Sequence, residues 1–188
     1  MNRSPVRLRP VVDGDAPELA ALWTDILRRA DLLEQTEDVR RLIKQVQAGA
    51  DERIVVAEYD GRFAGAILLR LTTLTPLNLE PVVQAVSPHV LPQFRRHGVG
   101  RALMDAAVSY AEELGIAHVA SGSVSASRDG NRFLARLGLG AQVILRVAPT
   151  HAVRAKLNAQ RPQARGGSRQ LDRVLASRRV LRRERATG

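Results

Sequence analysis

The apolar and polar positions of the chain follow the period of a strand in some segments and the period of a helix in others. Val6 to Val11 alternates apolar and polar residues, which predicts a first strand, and Pro10 is compatible with a place at the sheet edge. Asp15 precedes a stripe with helical spacing and is predicted to cap a first helix. The stripe consists of Leu19, Leu22, Trp23, Ile26 and Leu27.

The next segments predict a second helix and then a hairpin. The helix is predicted to start near Thr36 and to bury Leu42, Ile43 and Val46. The pair Asp60-Gly61 lies between two strand patterns and is a strong signal for a tight hairpin turn. The two strands are predicted at Ile54 to Tyr59 and Phe63 to Leu71.

The second half of the chain continues to alternate strands and helices. A Val-rich pattern predicts a strand from Pro81 to Leu91, and helical spacing predicts a long helix from Gly98 to Gly115. The order β-α-α-β-β-β-α-β-α-β predicts an α/β fold of the α+β type, with a mixed sheet covered by helices. The remaining elements are a strand at Ile116 to Val124, a helix at Asp129 to Leu137 and a strand at Ala141 to Val147.

The composition is typical of one ordinary globular domain with an aliphatic core. The chain has 188 residues, of which 45% are hydrophobic and only 3% aromatic, and it contains no cysteine. No segment approaches the roughly 20 apolar residues of a membrane-spanning helix, and no basic start precedes an apolar run. The sequence therefore leads us to expect a cytoplasmic protein without a transmembrane segment.

The net charge of +10 is concentrated near the C-terminus. Residues 1–153 carry 18 Lys and Arg against 17 Asp and Glu, whereas residues 154–188 carry 11 against 2. We therefore predict a domain at residues 1–148 and a basic, helical extension at residues 149–188. The extension is compatible with RNA, an anionic surface or an acidic partner, and also with docking on the body or on a second copy in a homodimer.

The extension contains two predicted helices. The first covers residues 149–160, and the second begins at Ser168, after a segment rich in helix breakers. Because the extension has no aromatic residue for base stacking, a role in reading nucleic-acid sequence is not expected.

The stretch QFRRHGVGRAL, residues 93–103, opens the predicted long helix without a capping side chain. The first backbone N–H groups of such a helix have no partner of their own, and they carry a partial positive charge that suits a phosphate. Glycines at positions 98 and 100 would let the backbone close around that group. The P-loop and the dinucleotide fingerprint do not match, because Gly-Lys-Ser/Thr is absent and Leu103 replaces a small residue. A tight turn with solvated arginines remains an alternative.

The wider motif Arg95-x-x-Gly98-x-Gly100, after His89-Val90-Leu91-Pro92 and before Ala102-Leu103, resembles the acetyl-CoA signature of the GNAT superfamily of N-acetyltransferases. The resemblance covers about residues 5 to 147. It implies a mixed, mostly antiparallel central sheet with a splayed strand pair and helices on both faces. It also implies acetyl-CoA as cosubstrate and an amine acceptor. The implied cofactor-binding residues are Val90, Leu91, Arg95, Arg96, His97, Gly98, Val99, Gly100 and Arg101.

The resemblance also says how acetyl-CoA would lie. Its pyrophosphate would rest on the amides of Arg96 to Arg101, and its pantetheine arm would pair with the strand ending at Val90. Pro88 and Pro92 cannot donate, which fits a strand whose ladder is interrupted by a bulge. For His97 the sequence favours a role in phosphate contact or packing.

Catalytic residues are not assigned by the sequence. Relatives often carry Glu or His nine or eleven residues before the first Arg of the signature, where this chain has Val86 and Gln84. Glu80 and His89 remain as weak candidates for a base, but the sequence favours an exposed carboxylate at a strand end for Glu80 and a half-buried strand residue for His89. Leu134 stands where relatives have the Tyr that protonates the thiolate.

Serine residues offer a substitute for that missing donor. Ser127 occupies a position where Asn is usual, and it is a weak catalytic candidate. It ends a series of alternating serines whose hydroxyls are also compatible with solvating the end of the sheet. The earlier members are Ser121, Ser123 and Ser125.

Three functions remain open at this point. The first is transfer of an acetyl group from acetyl-CoA to a primary amine of a small molecule, peptide or protein. The second is a noncatalytic acetyl-CoA-sensing module whose basic tail binds RNA or a partner, which the residues Leu134 and Gln84 favour. The third is a nucleic-acid-binding protein without CoA.

Overall fold

A computed structural model describes residues 6–122, 127–142 and 146–160. The chain divides into two units, Met1–Gly140 and Ala141–Gly188, which are described separately. The functional boundary after residue 148 stays a prediction. The described ranges contain no helix that combines the length and the apolar character needed to cross a bilayer.

The first unit contains a sheet of five strands, which lie in sequence order β1-β2-β3-β4-β5 within the described residues. The first four strands pair antiparallel, whereas β5 runs parallel to β4. The predicted mixed, mostly antiparallel sheet is therefore confirmed. The strands are β1 Val6–Pro10, β2 Glu52–Tyr59, β3 Arg62–Thr73, β4 Pro81–Val90 and β5 His118–Ser121.

Helices cover both faces of this sheet, as predicted. Strand side chains alternate between the two faces, so neighbouring residues of β3 enter different cores: Ile67 and Leu69 pack with the third helix, whereas Ala66 and Leu68 pack with the first two. The helices of the first unit are α1 Ala16–Leu22, α2 Leu32–Ala48, α3 Val99–Glu113 and α4 Arg128–Arg136.

The first two helices differ from the prediction at their ends. The first ends at Leu22, so Ile26 is 41% exposed rather than part of a buried stripe. The second begins at Leu32, one turn before Thr36, because the side chain of Asp31 accepts a hydrogen bond from the Glu34 amide at 2.8 Å. The hydroxyl of Thr36 instead donates to a carbonyl within that helix.

The elements after residue 115 agree with the prediction only in part. The fifth strand covers only the middle of residues 116–124, and residues 123–126 lie outside the described part. The predicted final strand is wrong at residues 141, 142, 146 and 147, which are not extended ladder residues, and residues 143–145 are not described. The second unit contains α5 Thr150–Ala159, which confirms the first tail helix. The helix predicted from Ser168 lies outside the described residues.

A partly buried ion-pair network joins β1, the residue that precedes α1, and β2. The guanidinium of Arg9 donates two hydrogen bonds to Asp15, at 2.7 and 2.8 Å, and one to Glu58 at 2.6 Å. Asp15 is only 3% exposed and also accepts the Val12 amide. Burial alone would raise the pKa of Asp15, but the hydrogen bonds from Arg9 and Val12 outweigh it and lower the pKa.

Replacing Asp15 with asparagine is expected to lower the free energy of unfolding by about 2 kcal/mol at neutral pH, because charge-assisted bonds to Arg9 are weakened. Since folding lowers the pKa of Asp15, the carboxylate stabilises the fold fully above the unfolded pKa, which is about 4. That contribution disappears as the pH falls through the lower pKa of the folded state. Urea unfolding from pH 7 to acid should therefore show a gap between wild type and Asp15→Asn that shrinks from about pH 4 downward.

The matched control is Asp38→Asn, because Asp38 pairs with Arg28 on an exposed surface. We expect this control to change the free energy of unfolding by less than about 0.5 kcal/mol. Equal effects for the two variants would contradict the role given to the buried network.

Candidate functional site

The two parallel strands at the sheet edge are paired over only part of their length. Their ladder joins Val82–Ala85 to His118–Ser121, and at its end the Ser121 hydroxyl donates to the Ala85 carbonyl at 3.0 Å. Beyond Ala85, the remaining residues of β4 have no partner in β5 within the described part of the chain. This is the predicted splayed pair, and among the described residues no strand pairs with residues 86–90 on that side.

A bulge interrupts the same strand on its other side. The ladder with β3 joins Leu68 to Val86 and Ala66 to His89, so β4 contains one extra residue between these pairs. Ser87 adopts a left-handed backbone conformation there, with φ of 48°. The predicted interruption around Pro88 is confirmed.

Two side chains hold this bulge by hydrogen bonds to one carbonyl. The indole Nε1 of Trp23 donates to the Ser87 carbonyl oxygen at 3.2 Å, and the His89 Nδ1 contacts the same oxygen at 3.2 Å. Trp23 is buried, so the turn after α1 is anchored on the strand. The bulge therefore has a fixed position relative to the first two helices.

The end of the strand lies unusually close to β3. A Cβ atom placed on Gly65 would lie 2.4 Å from the His89 carbonyl oxygen and 3.1 Å from the Val90 Cα. Both are backbone atoms, which cannot rotate away. One residue further, the Leu91 amide donates to the Ala64 carbonyl at 2.9 Å. This close pairing sets the point from which the next loop starts.

The loop between β4 and α3 presents free backbone donors. A short 3-10 turn at Pro92–Phe94 is followed by left-handed residues at Arg96, with φ of 64°, and at Gly98, with φ of 84°. Gly98 caps the helix without a side chain, and the first paired amide is that of Ala102, which donates to the Gly98 carbonyl. Within the described ranges, the N–H groups of residues 96–101 donate no hydrogen bond.

Positive side chains surround these donors. Arg95, Arg96 and Arg101 are exposed, and none forms an ion pair with a carboxylate among the described residues. Arg95 makes one long contact, from Nε to the Val90 carbonyl at 3.5 Å. Backbone amides and guanidinium groups of this kind are the donors that proteins use for phosphate groups.

His97 has a packing role in the structure. Its ring meets the Tyr59 ring edge-on, with 5.0 Å between centroids. Its Nδ1 donates to the Arg95 carbonyl at 2.8 Å, since a carbonyl can only accept. These contacts hold the loop against the hairpin of β2 and β3.

The weak catalytic candidates lie in different places. Glu80 precedes β4 at the end opposite the loop, about 30 Å away at strand spacing, and its carboxylate is 3.2 Å from His118 Nδ1. Ser127 caps α4, where its hydroxyl oxygen accepts the Gly130 amide at 3.2 Å. His89 lies at the bulge, and its Nε2 is 3.7 Å from Asp25 Oδ1. The structure thus brings His89, but not Glu80, next to the loop.

Asp25 was not among the residues that the sequence singled out. It lies in the turns after α1 and contacts His89 on a strand far away in the sequence. Leu134 is 8% exposed and packs in the core on the α3 face. Its hydrocarbon side chain has no acidic proton, so it cannot replace the tyrosine of relatives. Its neighbour Phe133 would touch a Cβ on Gly100 at 3.7 Å, an ordinary contact.

The loop and the unpaired end of β4 lie in a segment that matches a protein-family model. The model of the Acetyltransferase (GNAT) family matches residues 19–139, which is more than half of the chain. The chain belongs to the GNAT acetyltransferase family. This GNAT segment includes the splayed strands, the bulge and the loop before α3.

Solved structures agree with this GNAT assignment in fold. A transcriptional regulator from Bacillus halodurans C-125 is 21% identical, with a TM-score of 0.66 over 77% of this chain and 99% of that one. Aminoglycoside N-acetyltransferase AAC(6')-Iy in complex with CoA is 16% identical, with a TM-score of 0.63 over 77% and 94%. Glucosamine-6-phosphate N-acetyltransferase from Arabidopsis thaliana is 15% identical, with a TM-score of 0.61 over 77% and 98%. No curated protein matches the chain.

Proposed function

We propose that this GNAT protein transfers an acetyl group from acetyl-CoA to a primary amine. The observation that carries the proposal is the run of N–H groups at residues 96–101 that donate no hydrogen bond within the described ranges, next to three arginines without a carboxylate partner. A diphosphate offers oxygens for several of those donors at once, and its charge suits both the arginines and the start of α3. The loop therefore fits the diphosphate of acetyl-CoA.

The open strand fits the other half of the same molecule. Within the described ranges, residues 86–90 have no strand partner on the β5 side, and an extended chain with amide groups can pair there as an added strand does. The pantetheine arm of acetyl-CoA has that chemistry, and its thioester supplies the activated acetyl group. This protein's own residues then bind and orient the reactants rather than react covalently with them.

A noncatalytic sensor is the second candidate. Leu134 is buried in the core and has no acidic proton to donate, and Val86 stands at a position where relatives often have the base. Such a module would bind acetyl-CoA on the same loop without turnover.

The two candidates differ in one pair of measurements on the full chain. We expect calorimetry to find one acetyl-CoA bound per chain, and we expect a thiol assay to detect CoA release that depends on an added primary amine. Binding without release across a broad panel of amines would favour the sensor. Absence of heat with acetyl-CoA would overturn both functions.

A further inference from the structure

We propose that His89 and Asp25 together bind the ammonium form of the acceptor amine and remove its proton. This inference rests on the proposed acetyl transfer and names the acceptor-binding group of the same site. Its basis is a contact between two elements: the bulge of β4 carries His89, and the turn after α1 carries Asp25, with 3.7 Å between Nε2 and Oδ1.

The hydrogen bond at the other ring nitrogen determines which atom of His89 can accept a proton. Nδ1 lies 3.2 Å from the Ser87 carbonyl, which can only accept, so Nδ1 carries the hydrogen. The neutral ring therefore has its lone pair on Nε2. The second bond to that carbonyl, from the buried indole of Trp23, keeps the acceptor oxygen in place.

The gap between the two side chains suits a cation. At 3.7 Å, Nε2 and Oδ1 are too far apart for a hydrogen bond, and both present lone pairs. An alkylammonium group has three N–H donors, so it can donate to both atoms at once, and its charge is compensated by the carboxylate. His89 is 30% and Asp25 62% exposed, so an acceptor can reach them from solvent.

Asp25 is the carboxylate placed to compensate the charge of an ammonium group next to His89. Among the described residues, Asp25 is the carboxylate within ion-pair distance of His89. The neighbouring Arg28 is paired with Glu34 and Asp38, and the residue of β3 opposite His89 is Ala66, which does not titrate.

The proton balance of the step is simple. One N–H bond of the ammonium breaks, its proton moves to Nε2, and the nitrogen regains the lone pair that attacks the thioester carbonyl. As the C–S bond breaks, the nitrogen loses a second proton to the departing thiolate. His89 then returns the first proton to water, and Asp25 stabilises the imidazolium in the meantime.

A second histidine–carboxylate pair provides an internal comparison. His118 Nδ1 lies 3.2 Å from Glu80 at the other end of β4, and His118 is 60% exposed. Among the described residues, no carbonyl contacts the His118 ring as Ser87 contacts that of His89, and this pair lies at the end of β4 opposite the loop.

The test is a titration of the full chain, labelled with ¹⁵N-histidine, with n-butylamine at neutral pH, where this amine is an ammonium ion. Two-dimensional NMR reports each ring nitrogen, and His89→Gln and His118→Gln assign the signals. We expect His89 to carry its proton on Nδ1 and its Nε2 signal to move with added amine. In Asp25→Asn the apparent affinity for n-butylamine, followed at His89, should fall about threefold to fivefold. The His118 signals should respond more weakly to the amine than those of His89, and Asp25→Asn should not change that response.

Two results would overturn the proposal: a His89 proton on Nε2 in the neutral ring, or a His89 response that is no stronger than that of His118. The proposal would also be overturned if Asp25→Asn did not change the affinity for n-butylamine. Calorimetry with acetyl-CoA on the same samples separates this failure from that of the proposed function, because Asp25→Asn should bind acetyl-CoA as wild type does.

Discussion

Gly65→Ala is expected to lower the free energy of unfolding by about 3 kcal/mol or more. The added methyl would lie 2.4 Å from the carbonyl oxygen of His89, and this neighbour is backbone in a paired strand. No rotamer change can relieve the contact, so β3 and β4 must separate where they are held by the Leu91 amide. Urea unfolding followed by circular dichroism measures the loss.

The same substitution should also weaken the binding of acetyl-CoA in the fraction that stays folded. Separation of the strands would move both the open edge of residues 86–90 and the start of the loop. Calorimetry at a temperature where the variant is folded tests this second effect.

Gly14→Ala is the matched control, since a Cβ at Gly14 would meet nothing within 4 Å and its backbone conformation is ordinary. We expect it to change the stability by less than about 0.5 kcal/mol. If Gly65→Ala were as mild as this control, the close approach of β3 to the bulge would not be a constraint on the fold.

The contrast between Gly65 and Gly98 illustrates what the sequence alone can predict. Gly98 belongs to a local motif whose meaning lies in neighbouring residues, and the structure finds it at φ of 84° at the start of α3. The Asp60-Gly61 turn was predicted for the same reason, and both of its residues adopt positive φ. The requirement at Gly65 depends on a bulge in another strand, and no local pattern encodes that.

The acceptor side of the candidate site was beyond the sequence for a related reason. The apolar stripe predicts that the first helix continues to Leu27, but the helix ends at Leu22 and turns follow it. Asp25 lies in the turns after that helix, 3.7 Å from His89, and no local pattern encodes this contact between distant segments. Likewise, the sequence offers Ser127 as a weak candidate for the proton donor, whereas the structure gives its hydroxyl a capping role that depends on where α4 begins.

The arginines of the loop give the second large prediction. Arg96→Glu and Arg101→Glu should each weaken acetyl-CoA binding about tenfold, and the double variant about a hundredfold, because each loses a charge-assisted bond to phosphate. These positions are better probes than Gly98, where any side chain would strain the left-handed backbone. Calorimetry at low and high salt measures the effect, and salt should narrow the gap between variant and wild type.

Lys44→Glu is the matched charge reversal, since Lys44 is an exposed residue of α2 on the other face of the sheet. A change of less than about twofold is expected there, because the charge acts only through screened solvent. If the control weakened binding as much as the loop variants do, the affinity would reflect the overall charge of the protein. A loss confined to Arg96 and Arg101 would instead place the phosphates at the open amides that precede α3, where backbone donors and side-chain charges act on the same group.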